Sequence, residues 1–245
     1  MTTTRTQTPP ATGRVTARTL DRRPITLDAA RRLALWLAPV AILGTMYLVF
    51  LAASLVVPQQ YAVYAGLPVY WLAWCLAFPL WVVGRRGLRE MLQATPHPLG
   101  RPAWLGLLFL VLPIVITVSY TAVTLGADLP RIPLAAVAIA AVIALCNGVG
   151  EEVLWRGTYH VAHRGSLVPG YLFPAVGFGF WHLAAVPFSD YALPGGLVAY
   201  VAGGIALGLM WGWVTRRSGS IRDAVASHMI LNFLGQLAIW ATVLA

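Results

Sequence analysis

The chain has 245 residues, of which 59% are hydrophobic and only 10% are charged. Soluble domains carry about 25% charged residues, so this composition argues against a water-soluble globule and against intrinsic disorder. All of the basic residues are arginine, and because they occur in short runs between apolar stretches, the net charge of +9 indicates membrane topology rather than nucleic-acid binding.

The first 30 residues are rich in Thr, Pro and Arg. They lack the apolar segment and the small-residue cleavage site of a signal peptide. We predict that residues 1–30 form a disordered, basic cytoplasmic tail that lies against anionic headgroups. Residues 31–245 are predicted to form a single transmembrane helical domain.

Seven apolar runs follow the tail. They lie at about 33–57, 61–83, 103–125, 132–152, 168–188, 195–215 and 221–244. Each run reaches or exceeds the ~20 residues that a membrane-spanning helix needs. The fold predicted is all-α, a polytopic transmembrane bundle of about seven spans. Pro169, Gly170 and Pro174 in the fifth run leave open an eighth, short or interfacial helix.

The arginine distribution predicts the orientation of the bundle. With the amino terminus in the cytoplasm, sixteen of the 17 arginines fall in inside segments, among them Arg156 and Arg164, and only Arg131 falls outside. The positive-inside rule therefore predicts a multi-pass protein of the cell membrane with its carboxyl terminus outside.

Few ionisable groups remain within the runs, and such groups are functional candidates because lipid burial is costly. Glu151 and Glu152 end the fourth run, and Arg156 follows Glu152 by one helical turn, in the favourable order for an ion pair. Glu151 has no partner at that spacing. The two carboxylates are therefore predicted to divide the roles of base and structural anchor.

Two further pairs of residues, each with a histidine, occur at helical spacing. Phe178 and His182 lie four residues apart in the fifth run, and His228 and Asn232 do so in the seventh. His228 and Asn232 share one helix face, which suits a shared ligand or a substrate oxygen. The HExxH and GxSxG motifs are missing from the sequence, but hydrolysis by water that Glu and His activate stays open.

These residues, in this order and spacing, resemble the motifs of the CPBP intramembrane protease family. The family is also named CAAX protease and bacteriocin-processing, or ABI, and includes the type II CAAX prenyl endopeptidases. The matching sets are Glu151-Glu152-x3-Arg156, Phe178-x3-His182 and His228-x3-Asn232, and the similar core covers about residues 130–235.

The resemblance implies an intramembrane endopeptidase that cleaves a membrane-associated protein or peptide. Glu151 and His182 would activate water, and His228 and Asn232 would stabilise the oxyanion. Glu152, Arg156 and Phe178 would have a supporting role around these four catalytic residues.

The same residues leave open whether the site binds a metal ion. Glu151, His182 and His228 could serve as three ligands for a divalent ion such as zinc. We favour a metal-free site, because Glu152 is the only other nearby carboxylate and its pairing with Arg156 leaves nothing to orient the imidazoles.

Two other functions compete with proteolysis. A non-catalytic membrane binding or immunity protein could use the same pocket, although binding does not require all four polar groups. A transporter could use Glu and His as a relay, but no inverted repeat is evident. The predicted partners are a membrane-associated substrate and the lipid bilayer, with no nucleic acid.

The four candidate catalytic residues are predicted to converge on one water-accessible cavity in the cytoplasmic half of the membrane. Glu151 is predicted to end its span on the inside, and His228 lies about 9 Å from the inner end of its helix. His182 would reach them if the fifth helix starts late, near Pro174.

Overall fold

A computed structural model describes residues 25–126, 132–189 and 195–244. Seven helices in these ranges are long and apolar enough to cross a membrane, and the described residues contain no strand. The helices are α1 (Ala29–Ser54), α2 (Gln59–Met91), α3 (Ala103–Leu125), α4 (Leu134–Ala162), α5 (Val168–Phe188), α6 (Gly196–Ser218) and α7 (Arg222–Val243). The predicted all-α bundle of seven spans is confirmed.

The predicted amino-terminal tail and Arg131 lie largely or wholly outside the described residues. Where the described chain begins, Asp28 caps α1: its side chain accepts a hydrogen bond from the Arg31 backbone N–H at 2.8 Å. This bond satisfies one of the free donors of the first helical turn.

Two helices differ from the predicted runs because charged residues lie inside them. Helix α4 continues to Ala162 instead of ending near residue 152, so Arg156 is a buried helical residue and not part of a cytoplasmic loop. Helix α2 continues to Met91 but bends at Gly84, whose φ of 66° and ψ of 179° suit a residue without a Cβ atom.

The fifth span is Val168–Phe188, as the apolar run predicts, so the late start near Pro174 that was proposed to bring His182 to the site does not occur. Its first turn, Val168–Leu172, is π-helical, and regular α-helix follows from Phe173 to Trp181. His182 begins a 3₁₀ turn directly after this regular stretch.

Glycines on α6 allow a close approach to α5. A Cβ atom on Gly204 would lie 2.9 Å from Gly179, and one on Gly208 would lie 2.9 Å from Ala175. Small residues of the two helices therefore form a close packing seam.

The remaining packing leaves a gap on one side of the bundle. Helix α7 packs mainly against α3 and α4, and α6 packs mainly against α5. Helices α6 and α7 contact each other much less.

The two ends of the bundle differ in composition. At one end Arg164 pairs with Glu90, the Ile221 N–H donates to the Met91 carbonyl at 2.9 Å, and Arg216 donates to the Ser166 carbonyl at 2.8 Å. We call this the arginine-rich end. At the other end, Gln59 donates to the Pro187 carbonyl at 3.3 Å and the rings of Tyr61 and Trp240 stack. We call this the arginine-free end, because none of the described residues there is an arginine.

Candidate active site

A cavity of about 730 Å³ lies between α6 and α7 and is bounded further by α2, α3, α4 and α5. Its wall contains all four predicted catalytic residues: Glu151, His182, His228 and Asn232. Phe178 also lines the cavity, whereas Glu152 and Arg156 lie behind this wall. The structure thus brings together groups from three helices that are distant in sequence.

His228 lies between the two glutamates. Its Nδ1 donates a hydrogen bond to Glu152 Oε1 at 2.8 Å, and its Nε2 lies 3.4 Å from Glu151 Oε2. All three side chains are at most 4% exposed. In this geometry a doubly protonated ring could donate to both carboxylates.

A local change of helix type accompanies this arrangement. Helix α4 is regular as far as Glu151, and the segment Glu152–Thr158 is π-helical. The Thr158 hydroxyl donates to the Val153 carbonyl, five residues earlier, at 2.8 Å. Such widened turns are frequent at functional sites, and here the widened turn begins between the two glutamates.

Arg156 pairs with Glu152, as its spacing predicts. Its Nη1 lies 3.0 Å from Glu152 Oε1, and its guanidinium carbon lies 4.0 Å from the centre of the Phe178 ring and 5.2 Å from that of Trp211. The guanidinium nitrogens make no aligned hydrogen bond within the described residues. The pair is therefore held by charge attraction and by packing on aromatic rings.

The expectation that Arg156 leaves Glu152 unable to orient an imidazole is wrong. The same oxygen, Glu152 Oε1, contacts both Arg156 and His228. A carboxylate has two oxygens with about four lone-pair positions, so it can accept from two partners at once. Glu152 thus orients His228.

His182 has a fixed ring orientation. Its Nδ1 lies 2.6 Å from the Phe178 carbonyl, one turn earlier on α5. A carbonyl oxygen only accepts, so Nδ1 carries the proton and the neutral ring has Nε2 as an acceptor. The ring also packs edge-on against Phe178 and Tyr200. The motif spacing Phe178-x3-His182 is explained by this hydrogen bond.

Two carboxamides on α7 carry buried polar atoms that have no hydrogen-bond partner among the described residues. They are Asn232 Nδ2 and Gln236 Oε1. Both residues line the cavity, one and two turns after His228. Buried polar atoms are normally paired, so these two atoms are unsatisfied in this arrangement, and a small rotation of either side chain would bring its amide group to the cavity.

Several aromatic residues of the site were not predicted from the sequence. Trp181 Nε1 donates to Glu151 Oε1 at 3.2 Å, and the Trp181 ring stacks on Tyr70 with 4.0 Å between centres. Trp211 stacks on His228 with 4.2 Å between centres. Nothing in the sequence distinguishes these residues from other core aromatics.

Asn147 was also missed, although one signal for it existed. It precedes Glu151 by four residues, so both lie on the same face of α4, and it lines the cavity. Its Oδ1 accepts from Trp71 Nε1 at 2.5 Å. This hydrogen bond ties α4 to α2 beside the site.

The three candidate metal ligands line one cavity, but as placed they are not grouped around a common point. Within the described ranges, no group of three or more His, Cys, Asp or Glu side chains is placed to hold an ion. Nδ1 of His182 faces a carbonyl and Nδ1 of His228 faces a carboxylate. Ligating imidazoles commonly donate their second N–H to such oxygens, so a divalent ion held by Glu151, His182 and His228 stays a prediction.

The depth of Glu151 differs from the prediction. Glu151 lies eleven residues before the end of α4, about 17 Å along the helix, and not at its inner end. His182 lies fourteen residues after the start of α5, about 21 Å along that helix. A long α4, rather than a late start of α5, brings the two residues to one cavity.

The comparisons with known proteins agree with this geometry. Residues 133–234 match the family model described as type II CAAX prenyl endopeptidase Rce1-like. No curated protein and no solved structure matches the chain. The matched range contains all four polar groups of the cavity wall, so over residues 133–234 the chain is similar to this family.

Proposed function

We propose that this protein is an endopeptidase of the cell membrane, in which Glu151 is the general base for the attacking water. The observation that carries the proposal is the convergence of Glu151, His182, His228 and Asn232 on one cavity. A non-catalytic binding pocket does not require a carboxylate, two imidazoles and a free amide donor on the same wall. Proteolysis by activated water uses all of them.

The first step is attack on the scissile carbonyl. A water molecule in the cavity gives a proton to Glu151 and forms a bond to the carbonyl carbon. Nε2 of His182 accepts the second hydrogen of that water and orients it. The carbonyl oxygen becomes an oxyanion, and Asn232 Nδ2, which has no partner among the described residues, donates to it together with Nε2–H of His228.

The second step is collapse of the tetrahedral intermediate. The carbon–nitrogen bond breaks, and the proton held by Glu151 passes to the leaving amine. The products are a carboxylic acid and an amine, and Glu151 returns to its starting state. No oxidant, reductant or cofactor is needed for this balance.

The charges behind the site support this role of Glu151. Glu152 and Arg156 neutralise each other, and His228 contacts both glutamates. Each glutamate has one further partner, Arg156 for Glu152 and Trp181 for Glu151. Only Glu151 lines the cavity, so it is the carboxylate that can exchange a proton with a bound water.

The test compares membrane peptides from cells that carry the wild type with those from cells that carry Glu151→Gln. We expect the variant to accumulate an uncleaved membrane-associated substrate and to fold normally. Asp223→Asn at the start of α7 is the matched control, because it makes the same chemical change away from the cavity. Equal peptide profiles in all three strains would contradict the protease and favour a binding or immunity role.

A further inference from the structure

We infer that Gln236 is a substrate-binding residue of the proposed protease, and that its carboxamide binds the peptide backbone of the substrate close to the scissile bond. This inference rests on the proposed function, because it concerns which group of the same cavity holds the substrate. It depends on the position of Gln236 on α7, on its unpaired oxygen and on the chemistry of the wall around it.

The polar side chains of α7 form a stripe along one face of the helix. His228, Asn232 and Gln236 follow one another at intervals of four residues, and all three line the large cavity. At 1.5 Å per residue, Gln236 lies about 6 Å along the helix from Asn232 and about 12 Å from His228. The stripe therefore continues one turn beyond the two proposed oxyanion donors.

The spacing of this stripe suits an extended polypeptide. In an extended chain, backbone groups on one edge repeat every two residues, which is about 6.7 Å. The distance of about 6 Å between Asn232 and Gln236 along α7 is close to this repeat. A substrate whose scissile carbonyl contacts Asn232 can thus place the backbone N–H and C=O of a residue two positions away beside Gln236.

The carboxamide of Gln236 has the groups that a peptide backbone needs. Its Oε1 is buried and has no hydrogen-bond partner among the described residues. A carboxamide has one acceptor oxygen and two N–H donors, and each substrate residue other than proline offers one N–H and one C=O. Because an unpaired buried oxygen is costly, acceptance of a substrate N–H stabilises the complex.

Aromatic rings border this part of the cavity. Tyr61 and Tyr64 of α2 pack on Trp240 of α7, with ring centres 6.0 and 4.8 Å from that of Trp240, and all three residues line the cavity. These rings offer apolar faces to substrate side chains. A hydrocarbon chain alone would leave the Gln236 oxygen unpaired, so the wall favours an occupant that also carries backbone amides.

Trp240 offers a second use for the same carboxamide. Its Nε1 is also buried without a partner in the described ranges, and it follows Gln236 by four residues, on the same helix face. If Gln236 and Trp240 paired with each other, Gln236 would serve the fold and not the substrate. The test must therefore separate binding from stability.

Peptide binding is measured without catalysis, in the Glu151→Gln background. The probe is a pool of fluorescent dodecapeptides in which alanine, serine, threonine and valine are randomised. A second pool carries a methyl group on every backbone nitrogen, so that it has no backbone N–H to donate. The readouts are the fluorescence anisotropy of each pool and the unfolding temperature of the protein in detergent.

Three substitutions are compared in this background. Gln236→Met removes the carboxamide and keeps the length of the side chain. Gln93→Met is the matched control, because Gln93 lies after the end of α2, away from the cavity, and also has a buried Oε1 without a partner among the described residues. Trp240→Phe removes the N–H that could pair with Gln236.

We expect Gln236→Met to weaken binding of the unmethylated pool about two- to tenfold, as the loss of one hydrogen bond does, and to leave the unfolding temperature unchanged. Binding of the methylated pool should weaken less, because that pool cannot donate to Gln236 Oε1. Gln93→Met should bind both pools as its parent does. The difference between the pools is decisive, since partial unfolding would weaken binding of both alike.

Equal affinities of Gln236→Met and its parent for the unmethylated pool would overturn the inference, as would a parent that binds neither pool. Equal weakening of both pools would overturn it too. Lower unfolding temperatures in both Gln236→Met and Trp240→Phe, with unchanged affinities, would assign the carboxamide to Trp240.

The proposed function fails separately. Weaker binding in Gln236→Met, together with no accumulated substrate in Glu151→Gln cells, would overturn the protease and leave the backbone-binding site in place. Accumulated substrate in those cells, with no effect of Gln236→Met on binding, would overturn only the role of Gln236.

Discussion

At the scale of single residues, Arg156 supports the charges of the site. It is 4% exposed, and Glu152 beside it is completely buried. We expect Arg156→Ala to destabilise the fold by about 3–5 kcal/mol, because the substitution leaves a buried carboxylate without its cation. Thermal unfolding in detergent measures this loss. Arg156→Lys retains the charge and should recover part of the stability. A fully stable but inactive Arg156→Ala protein would instead place Arg156 in substrate binding.

Substitution of Asn232 is expected to lower the activity without changing the stability, the reverse of the effect expected for Arg156→Ala. Asn232 Nδ2 has no partner among the described residues, so Asn232→Ala breaks no hydrogen bond of that donor. We predict an unchanged unfolding temperature and a loss of about 10²–10³ in turnover, the usual effect of removing one oxyanion donor. The measurement is the rate of substrate cleavage in purified membranes.

Asn147→Ala is the matched control for Asn232→Ala. It removes the acceptor of Trp71 Nε1 and should lower stability instead. Wild-type turnover in Asn232→Ala would remove Asn232 from the oxyanion site.

His163, between α4 and α5, makes stability depend on pH. Burial and the nearby positive charge of Arg32 lower the pKa of His163. The folded state therefore binds a proton less readily than the unfolded state, in which a histidine has a pKa of about 6.5. Stability that is present above pH ~6.5 should fall as the pH drops towards the lower folded-state pKa.

We expect His163→Gln to lose less stability than the wild type between pH 7 and pH 5. Thermal unfolding at several pH values measures the difference. Parallel losses in the two proteins would show that His163 makes no contribution to the pH dependence.

At the scale of helices, the glycines of α6 decide how closely it packs on α5. A Cβ atom on Gly208 would lie 2.9 Å from both Cα and the carbonyl oxygen of Ala175. These are backbone atoms that cannot rotate away, so Gly208→Ala should force the helices apart. We expect a destabilisation of about 1–3 kcal/mol, as overpacking costs elsewhere.

Gly203→Ala is the control for Gly208→Ala. It lies on the same helix, where an added Cβ meets nothing within 4 Å. It should be neutral or slightly stabilising, since alanine favours a helix more than glycine. Similar unfolding temperatures for the two variants would contradict a tight α5–α6 contact.

The helix scale also shows where hydropathy fails as a guide. The apolar runs located all seven helices, because each helix is apolar along most of its length. Such a helix can pack its side chains in the bundle on one face and contact lipid on the other. The end of α4 was placed about ten residues too early, because Glu152 and Arg156 resemble an interfacial charge cluster. Their mutual pairing and their packing against Phe178 and Trp211 keep them within the bundle.

At the scale of the whole molecule, an odd number of candidate spans predicts that α1 begins and α7 ends on opposite sides of the membrane. We predict a cytoplasmic amino terminus and an extracytoplasmic carboxyl terminus from the arginine distribution. Reporter fusions at Pro58 and at Ala245 should report outside, and a fusion at Thr95 should report inside. A cytoplasmic reporter at Ala245 together with an extracytoplasmic reporter at Thr95 would contradict this orientation.

The sequence by itself determined the seven spans, the candidate catalytic residues and the Glu152–Arg156 pair. These features depend on local composition or on spacings of one helical turn, and both can be deduced from neighbouring positions. The tertiary structure alone decided that Glu152 orients His228, 76 residues away, and that Trp181 and Trp211 enclose the site.

It also decided that a cavity lies between α6 and α7. That gap exists because α6 and α7 contact each other little, which is a property of packing between distant helices. No local pattern of residues encodes it, because the same apolar faces could pack around a gap elsewhere in the bundle.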